Sequence, residues 1–162
     1  MSKNVLSVWV ENQAGVLSRV AGLFSEMGFN IDSLAVGVTE RSDVSRMTIV
    51  ADGDDELVDC IISKLNKITN LIKIKKIAQS ESVLRELALI MVDAPEAKRS
   101  AIINIVEIFR AQIVDVGYST MTVEISGDSD KIQAIEDLLH PFGIREIVRT
   151  GTIAIDRGSR RP

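Results

Sequence analysis

A chain of 162 residues has room for one domain of ordinary size or two small ones, and 46% hydrophobic with 26% charged residues excludes wholesale disorder. The formal net charge is −4. Lys+Arg stand against Asp+Glu as 9 to 10 in residues 1–79 and 10 to 13 in residues 80–162, so neither half offers a basic face to a phosphate backbone.

In chain order, Val5-Leu6-Ser7-Val8-Trp9-Val10 predicts a strand, and Asn12-Gln13-Ala14-Gly15 a turn. Val16, Leu17, Val20, Leu23, Phe24 and Met27 recur at helical spacing, and Gly28 ends that helix where a C-terminal cap favours glycine. Residues 30–39 and 44–51 read as strands around Glu40-Arg41-Ser42-Asp43. A second helix, capped by Asp54 or Asp55, carries Leu57, Ile61, Leu65 and Ile68, and Ile72, Ile74 and Ile77 mark a closing strand.

The order then repeats. Residues 83–92 read as a strand, and Pro95 opens a helix carrying Ile102, Ile103, Val106 and Phe109. Residues 113–118 and 120–126 follow as strands. Asp128 caps a helix that Pro141 and Gly143 stop, and residues 144–155 close the unit. The expected class is α+β, with two ferredoxin-like βαββαβ units in tandem. The units span 1–79 and 80–155, joined near Gln79-Ser80-Glu81-Ser82, and 156–162 form a flexible tail. Val5, Trp9, Val36, Val38 and Ile49 place apolar residues on both strand faces, so uncovered sheet surface and a homodimer or higher homo-oligomer are expected.

Catalytic chemistry is sparse. His140 sits at a helix end, and Cys60, within Leu57-Val58-Asp59-Cys60-Ile61-Ile62, reads as a buried inert thiol. One His and one Cys make no tetrahedral zinc site, and Asp52-Gly53-Asp54-Asp55-Glu56 lacks the ligand pattern of a calcium loop. No catalytic residue and no metal are assigned. No apolar run approaches the roughly 20 residues that span a bilayer. The Met1-Ser2-Lys3-Asn4 start shows no signal-peptide pattern, and the lone cysteine suits a reducing compartment. The expected setting is cytoplasmic, with neither membrane nor nucleic acid as partner. Arg157, Arg160 and Arg161 read as part of a frayed end.

The informative segment is Glu11-Asn12-Gln13-Ala14-Gly15-Val16. A strand ends, a glycine turn follows, and a helix begins with N–H groups that lack internal partners beside the positive end of its dipole. Such a place suits a carboxylate. Gly15 lets a ligand approach the backbone, and the Asn12 amide can donate to a carboxylate or accept from an ammonium group. Asn30 and Ile31, opening the second strand, are expected to close over the same ligand. Helix capping alone is the plainer use of such a turn.

Asn12-Gln13-Ala14-Gly15-Val16-Leu17-Ser18-Arg19-Val20 with Gly28-Phe29-Asn30-Ile31-Asp32-Ser33-Leu34 resembles the ACT domain. Ser45-Arg46-Met47-Thr48-Ile49, Glu86-Leu87-Ala88-Leu89-Ile90 and Ile108–Val116 narrow the resemblance to small regulatory subunits of acetohydroxyacid synthase, also called acetolactate synthase. The resemblance implies a non-catalytic subunit. It would bind and activate a large, thiamine-diphosphate-dependent catalytic subunit and confer feedback inhibition by valine, or by leucine or isoleucine. Thiamine diphosphate, Mg and FAD are then expected only in that partner, with no cofactor in this chain. Effectors of this family bind between two ACT domains. The carboxylate would meet the backbone at Gly15 and Val16 beside Asn12, with Asn30 and Ile31 coming from the neighbouring domain. Asp93-Ala94-Pro95 replaces the glycine turn in the second half, where no amino acid site is expected. The second half also resembles the ligand domain of a nickel-responsive regulator in topology, but one histidine cannot supply a His-rich site. An ACT-type sensor regulating another enzyme or transcription is the alternative, though no helix-turn-helix segment is left over; a small enzyme on this scaffold is a further rival.

Overall fold

The computed structural model describes residues 3–158. Contacts divide the chain into two units, one running to Val83 and resuming at Thr152, the other spanning Leu84–Gly151.

The first unit runs β1 (Lys3–Glu11), α1 (Val16–Glu26), β2 (Ile31–Val38), β3 (Val44–Asp52), α2 (Asp55–Leu65) and β4 (Leu71–Ile77). Its antiparallel sheet has the order β2-β3-β1-β4. The helical face buries Leu6, Val8 and Val10 of β1 and Met47, Ile49 and Ala51 of β3 against Val20 and Phe24 of α1 and Val58, Ile61 and Leu65 of α2. Local chemistry sets the helix ends. Asp54 caps α2 by accepting from Leu57 N–H at 2.8 Å. After α1, Gly28 takes φ 71°, with Phe29 N–H donating to Phe24 C=O and Gly28 N–H to Ser25 C=O. Those paired bonds close the helix in the left-handed manner glycine permits.

The second unit repeats the pattern with β5 (Ser82–Asp93, from Leu84 onward in this unit), α3 (Arg99–Ile108), β6 (Gln112–Val116), β7 (Thr120–Gly127), α4 (Ser129–Leu139) and β8 (Ile144–Arg149), in the sheet order β6-β7-β5-β8. The tandem βαββαβ architecture is therefore present. Ala88, Ile90, Val92, Met121, Val123 and Ile125 meet Ile102, Val106, Ile132, Ile135 and Leu139 in its core. Asp128 caps α4 through Lys131 N–H at 2.9 Å.

Several local expectations need correction. Pro95 precedes a short 3₁₀ turn at Glu96–Lys98, and α3 starts only at Arg99. Residues 144–155 do not all close the second unit: the backbone turns at Gly151 (φ 87°), the first unit resumes at Thr152, and Ile153–Asp156 form a separate strand, β9, that pairs with β5. Cys60 is exposed, because α2 turns Val58, Ile61 and Leu65 inward.

The far face of the first sheet is partly closed rather than bare. Ser7, Thr48 and Val50 are buried, as is Val5, whereas Val36 and Val38, which pair with Met47 and Ser45 and so lie on the helical face, stay about half exposed at the β2 edge (46% and 58%). The segment from Thr152 is tied to this unit: Thr152 N–H donates to Ser33 Oγ at 2.8 Å, Arg46 to Ala154 C=O at 2.5 Å, Ser82 Oγ to Asp156, and Lys75 pairs with Asp156. Asp156, expected at the start of a flexible tail, is thus the last residue of an ordered strand, while the tail's residues 159–162, with Arg160 and Arg161, lie outside the described residues.

Candidate functional site

Helix α1 begins at Val16 immediately after Gly15, whose φ of 85° is left-handed, and no side chain caps it. The first N–H groups of α1 therefore lack both the intrahelical partners and the side-chain acceptor that a capped helix has. A Cβ built on Gly15 meets nothing within 4 Å, so the turn opens onto free space. Val16, by contrast, turns its side chain into the core, which anchors the first turn of the helix.

The turn is rigidly held. Asn12 N–H donates to Asp43 C=O at 2.9 Å and its Nδ2 to Ser42 C=O at 3.1 Å, joining the β1–α1 turn to the β2–β3 turn. That second turn is braced by Arg41, whose guanidinium hydrogen-bonds the Asp43 carboxylate and holds it below its ordinary pKa. Among the described residues, the Asn12 amide has its donor engaged and its carbonyl oxygen left to accept, the group an ammonium requires. On the other side Asn70 Nδ2 donates to Glu11 Oε2 at 2.8 Å, and Asn70 Oδ1 accepts from Arg19 Nη1 at 2.5 Å.

Asn30 and Ile31 stand elsewhere. Ile31 pairs with Ala51, which pairs on its other side with Asn4, whereas Glu11 pairs with Val44. Strand rise places the β2 entrance at the opposite end of the sheet from Gly15, about 20 Å away. Asn30 Nδ2 donates to Asp32 Oδ1 at 3.0 Å, and Asp32 faces Lys3 across 3.6 Å, which fixes that end. Within one unit the two half-sites do not meet. The expectation that Asn30 and Ile31 fold back over the Gly15 turn of their own unit is overturned by strand register.

In the second unit Asp93, at the place of the glycine turn, is ion-paired to Arg145, and its N–H donates to Gly143 C=O at 2.8 Å. An acidic side chain engaged with arginine thus stands where the first unit has its glycine turn. His140 is exposed at the α4 end. Among the described residues no group of three or more His, Cys, Asp or Glu is arranged to hold a metal ion.

Residues 6–73 match the family model for the AHAS small subunit-like ACT domain, and residues 85–158 the model for the small subunit of acetolactate synthase. A probable acetolactate synthase small subunit from Archaeoglobus fulgidus is 52% identical over 159 residues, covering 98% of this chain and 99% of that protein. The chain belongs to the acetolactate synthase small-subunit family. The acetolactate synthase small subunit of Mycobacterium bovis is 50% identical over 157 residues, 97% of this chain and 94% of the relative. The crystal structure of the acetolactate synthase small subunit from Thermotoga maritima superposes with a TM-score of 0.90 at 37% identity, covering 98% of this chain and 99% of that one. Membership of this family places the Gly15 turn in an ACT domain.

Sequence reasoning missed two features of the first unit. One is the Glu11–Asn70–Arg19 network, which joins positions 59 residues apart. The other is Arg46, whose guanidinium lies 4.5 Å over the Trp9 ring and donates to Ser7 Oγ and Ala154 C=O. Neither leaves a periodic trace in sequence.

Proposed function

We propose that this chain is the non-catalytic regulatory subunit of an acetolactate synthase. It activates the large catalytic subunit and transmits feedback inhibition by valine or another branched-chain amino acid. Thiamine diphosphate, Mg and FAD belong to the catalytic subunit in this reading, and the complex works in the cytoplasm.

The observation that carries the reading is the uncapped, open turn at Gly15, stiffened from both sides, in a chain of this family. The effector carboxylate is held by the backbone at Gly15 and Val16, and Asn12 accepts from the ammonium group. Because Asn30 and Ile31 lie at the far end of their own sheet, the wall of the pocket comes from a second copy whose α1 runs antiparallel to the first. The homodimer is therefore part of the site. Regulation follows as linkage: valine binds more tightly to the less activating arrangement and shifts the population toward it. A coupling of about 1–3 kcal/mol changes activity from severalfold to roughly a hundredfold.

The test is an acetolactate synthase assay of the catalytic subunit alone, with this chain, and with this chain plus valine. Stimulation by the chain that valine reverses supports the reading. A catalytic subunit indifferent to the chain contradicts it.

A further inference from the structure

Helices α1 and α2 of the first unit leave a groove of about 610 Å³ on their outer side. Its floor is apolar, from Leu23 and Ile68, and its rim carries the cations Arg19, Lys64 and Lys67 against the single carboxylate of Glu26. In a chain of net charge −4 this is a local reversal of sign. Other lysines of the unit are partnered: Lys3 with Asp32, Lys75 with Asp156 and Lys76 with Asp55 as ion pairs, and Lys73 with the face of the Trp9 ring. Among the described residues, Arg19, Lys64 and Lys67 form no ion pair. Lys64 does complement the C-terminal end of α2, but Lys67 lies beyond the helix and Arg19 sits on α1, so helix-end charge does not explain the cluster.

Gly22 lies inside α1 and lines the same groove. Glycine is a poor residue for a helix interior. A Cβ at this position meets nothing within 4 Å, so packing of the unit does not require it. Its effect is to keep the floor open for something approaching from outside. Arg19 is also placed in advance, since its guanidinium is held by Asn70, which is bonded in turn to Glu11 before the Gly15 turn.

We infer that this groove is the docking surface for an acidic segment of the catalytic subunit, with an apolar side chain seated over Gly22 and carboxylates against Arg19, Lys64 and Lys67. The inference rests on the regulatory-subunit reading for the partner's identity. It adds a physical route for regulation: Arg19 lies one helical turn past Gly15, and its backbone N–H donates to Gly15 C=O at 3.2 Å, so the effector turn and the docking rim share one element.

Two variants test it, neither at an effector residue. Lys64→Glu/Lys67→Glu reverses the rim, and Gly22→Leu fills the floor without changing charge. Each is titrated against the purified catalytic subunit by interferometry at low and physiological salt, with Lys98→Glu in the second unit as control. The expected result is a Kd raised tenfold or more for both variants, a weaker salt dependence for the charge reversal, and an unchanged Kd for the control. Gly22→Leu should melt no lower than the original chain, which separates lost docking from misfolding. Valine titration of the variants alone should give the original heats. An unchanged Kd, with the original chain binding normally, overturns the docking site and leaves the regulatory reading standing. Loss of self-association in the chain alone, seen by sedimentation, overturns it by giving the groove to a second copy. Failure of the original chain to bind the catalytic subunit overturns both.

Discussion

The Arg46 guanidinium lies 4.5 Å above the centre of the Trp9 ring and reaches past it to the carbonyl of Ala154 at 2.5 Å. One side chain from β3 thus covers an aromatic on β1 and fastens the C-terminal strand. A stacked, partly desolvated cation on Trp contributes about 1 kcal/mol, and a charged hydrogen bond about 1.5–3 kcal/mol. Arg46→Ala should therefore lower unfolding free energy by about 2 kcal/mol in urea titrations, and Arg46→Lys should recover only part of it, because lysine lacks the planar fork.

A second prediction concerns the two aspartate caps. Asp54 and Asp128 make the same bond, each accepting the backbone N–H three residues on. Replacement of either by alanine should cost about 1 kcal/mol by chemical denaturation, and replacement by asparagine much less.

A third concerns the ion pair between Glu86 and Arg149 in the second unit. The Glu86 side chain is 4% exposed and that of Arg149 33%, so the two partners are not equivalent. Removing the arginine strands a buried carboxylate, whereas Glu86→Gln leaves a half-solvated cation with a neutral neighbour. Arg149→Ala is expected to destabilise the chain by about 3 kcal/mol in denaturant melts, clearly more than Glu86→Gln.

Acid should loosen the C-terminal strand. The hydrogen bond from Lys75 is the largest cause holding the Asp156 pKa below its ordinary 3.8, and Ser82 and Arg46 act in the same direction. A carboxylate depressed on folding contributes stability that is complete above its unfolded pKa and is lost as pH falls through the folded value. The decline of stability below about pH 4 should accordingly be shallower in Lys75→Ala than in the original chain.

Much of this fold is legible in sequence because short-range chemistry sets it. The α1 apolar spacing, the Gly28 stop and both aspartate caps act within one or two turns, and all appear where the residues place them. What escapes the sequence is set by partners far along the chain. Residues 144–155 read as the close of the second unit, and only the turn at Gly151 and the bonds that join Thr152, Ala154 and Asp156 to Ser33, Arg46 and Lys75 return the last of them to the first. Cys60 fails for a related reason, since the run Leu57–Ile62 is apolar enough to hide the helical phase that turns Val58 and Ile61 inward. In the candidate site, the Gly15 turn is readable from its own residues. The distance to Asn30 and Ile31 is not, because it depends on the register of β3 between β1 and β2.

That distance gives the most direct test of whether two copies build one effector site. Gly15→Asp places a carboxylate where the ligand's own must sit, and Asn30→Tyr puts a bulky group at an exposed position of the opposite half-site. Chains carrying one change each are co-expressed with different tags, purified as the mixed dimer, and titrated with valine calorimetrically. Neither single variant should bind as a homodimer. The mixed dimer should regain half the original number of sites at the original affinity, because Gly15 of one chain then meets Asn30 of the other with both intact. A mixed dimer that gives no heat, when the unmodified chain binds valine, contradicts a site shared between copies.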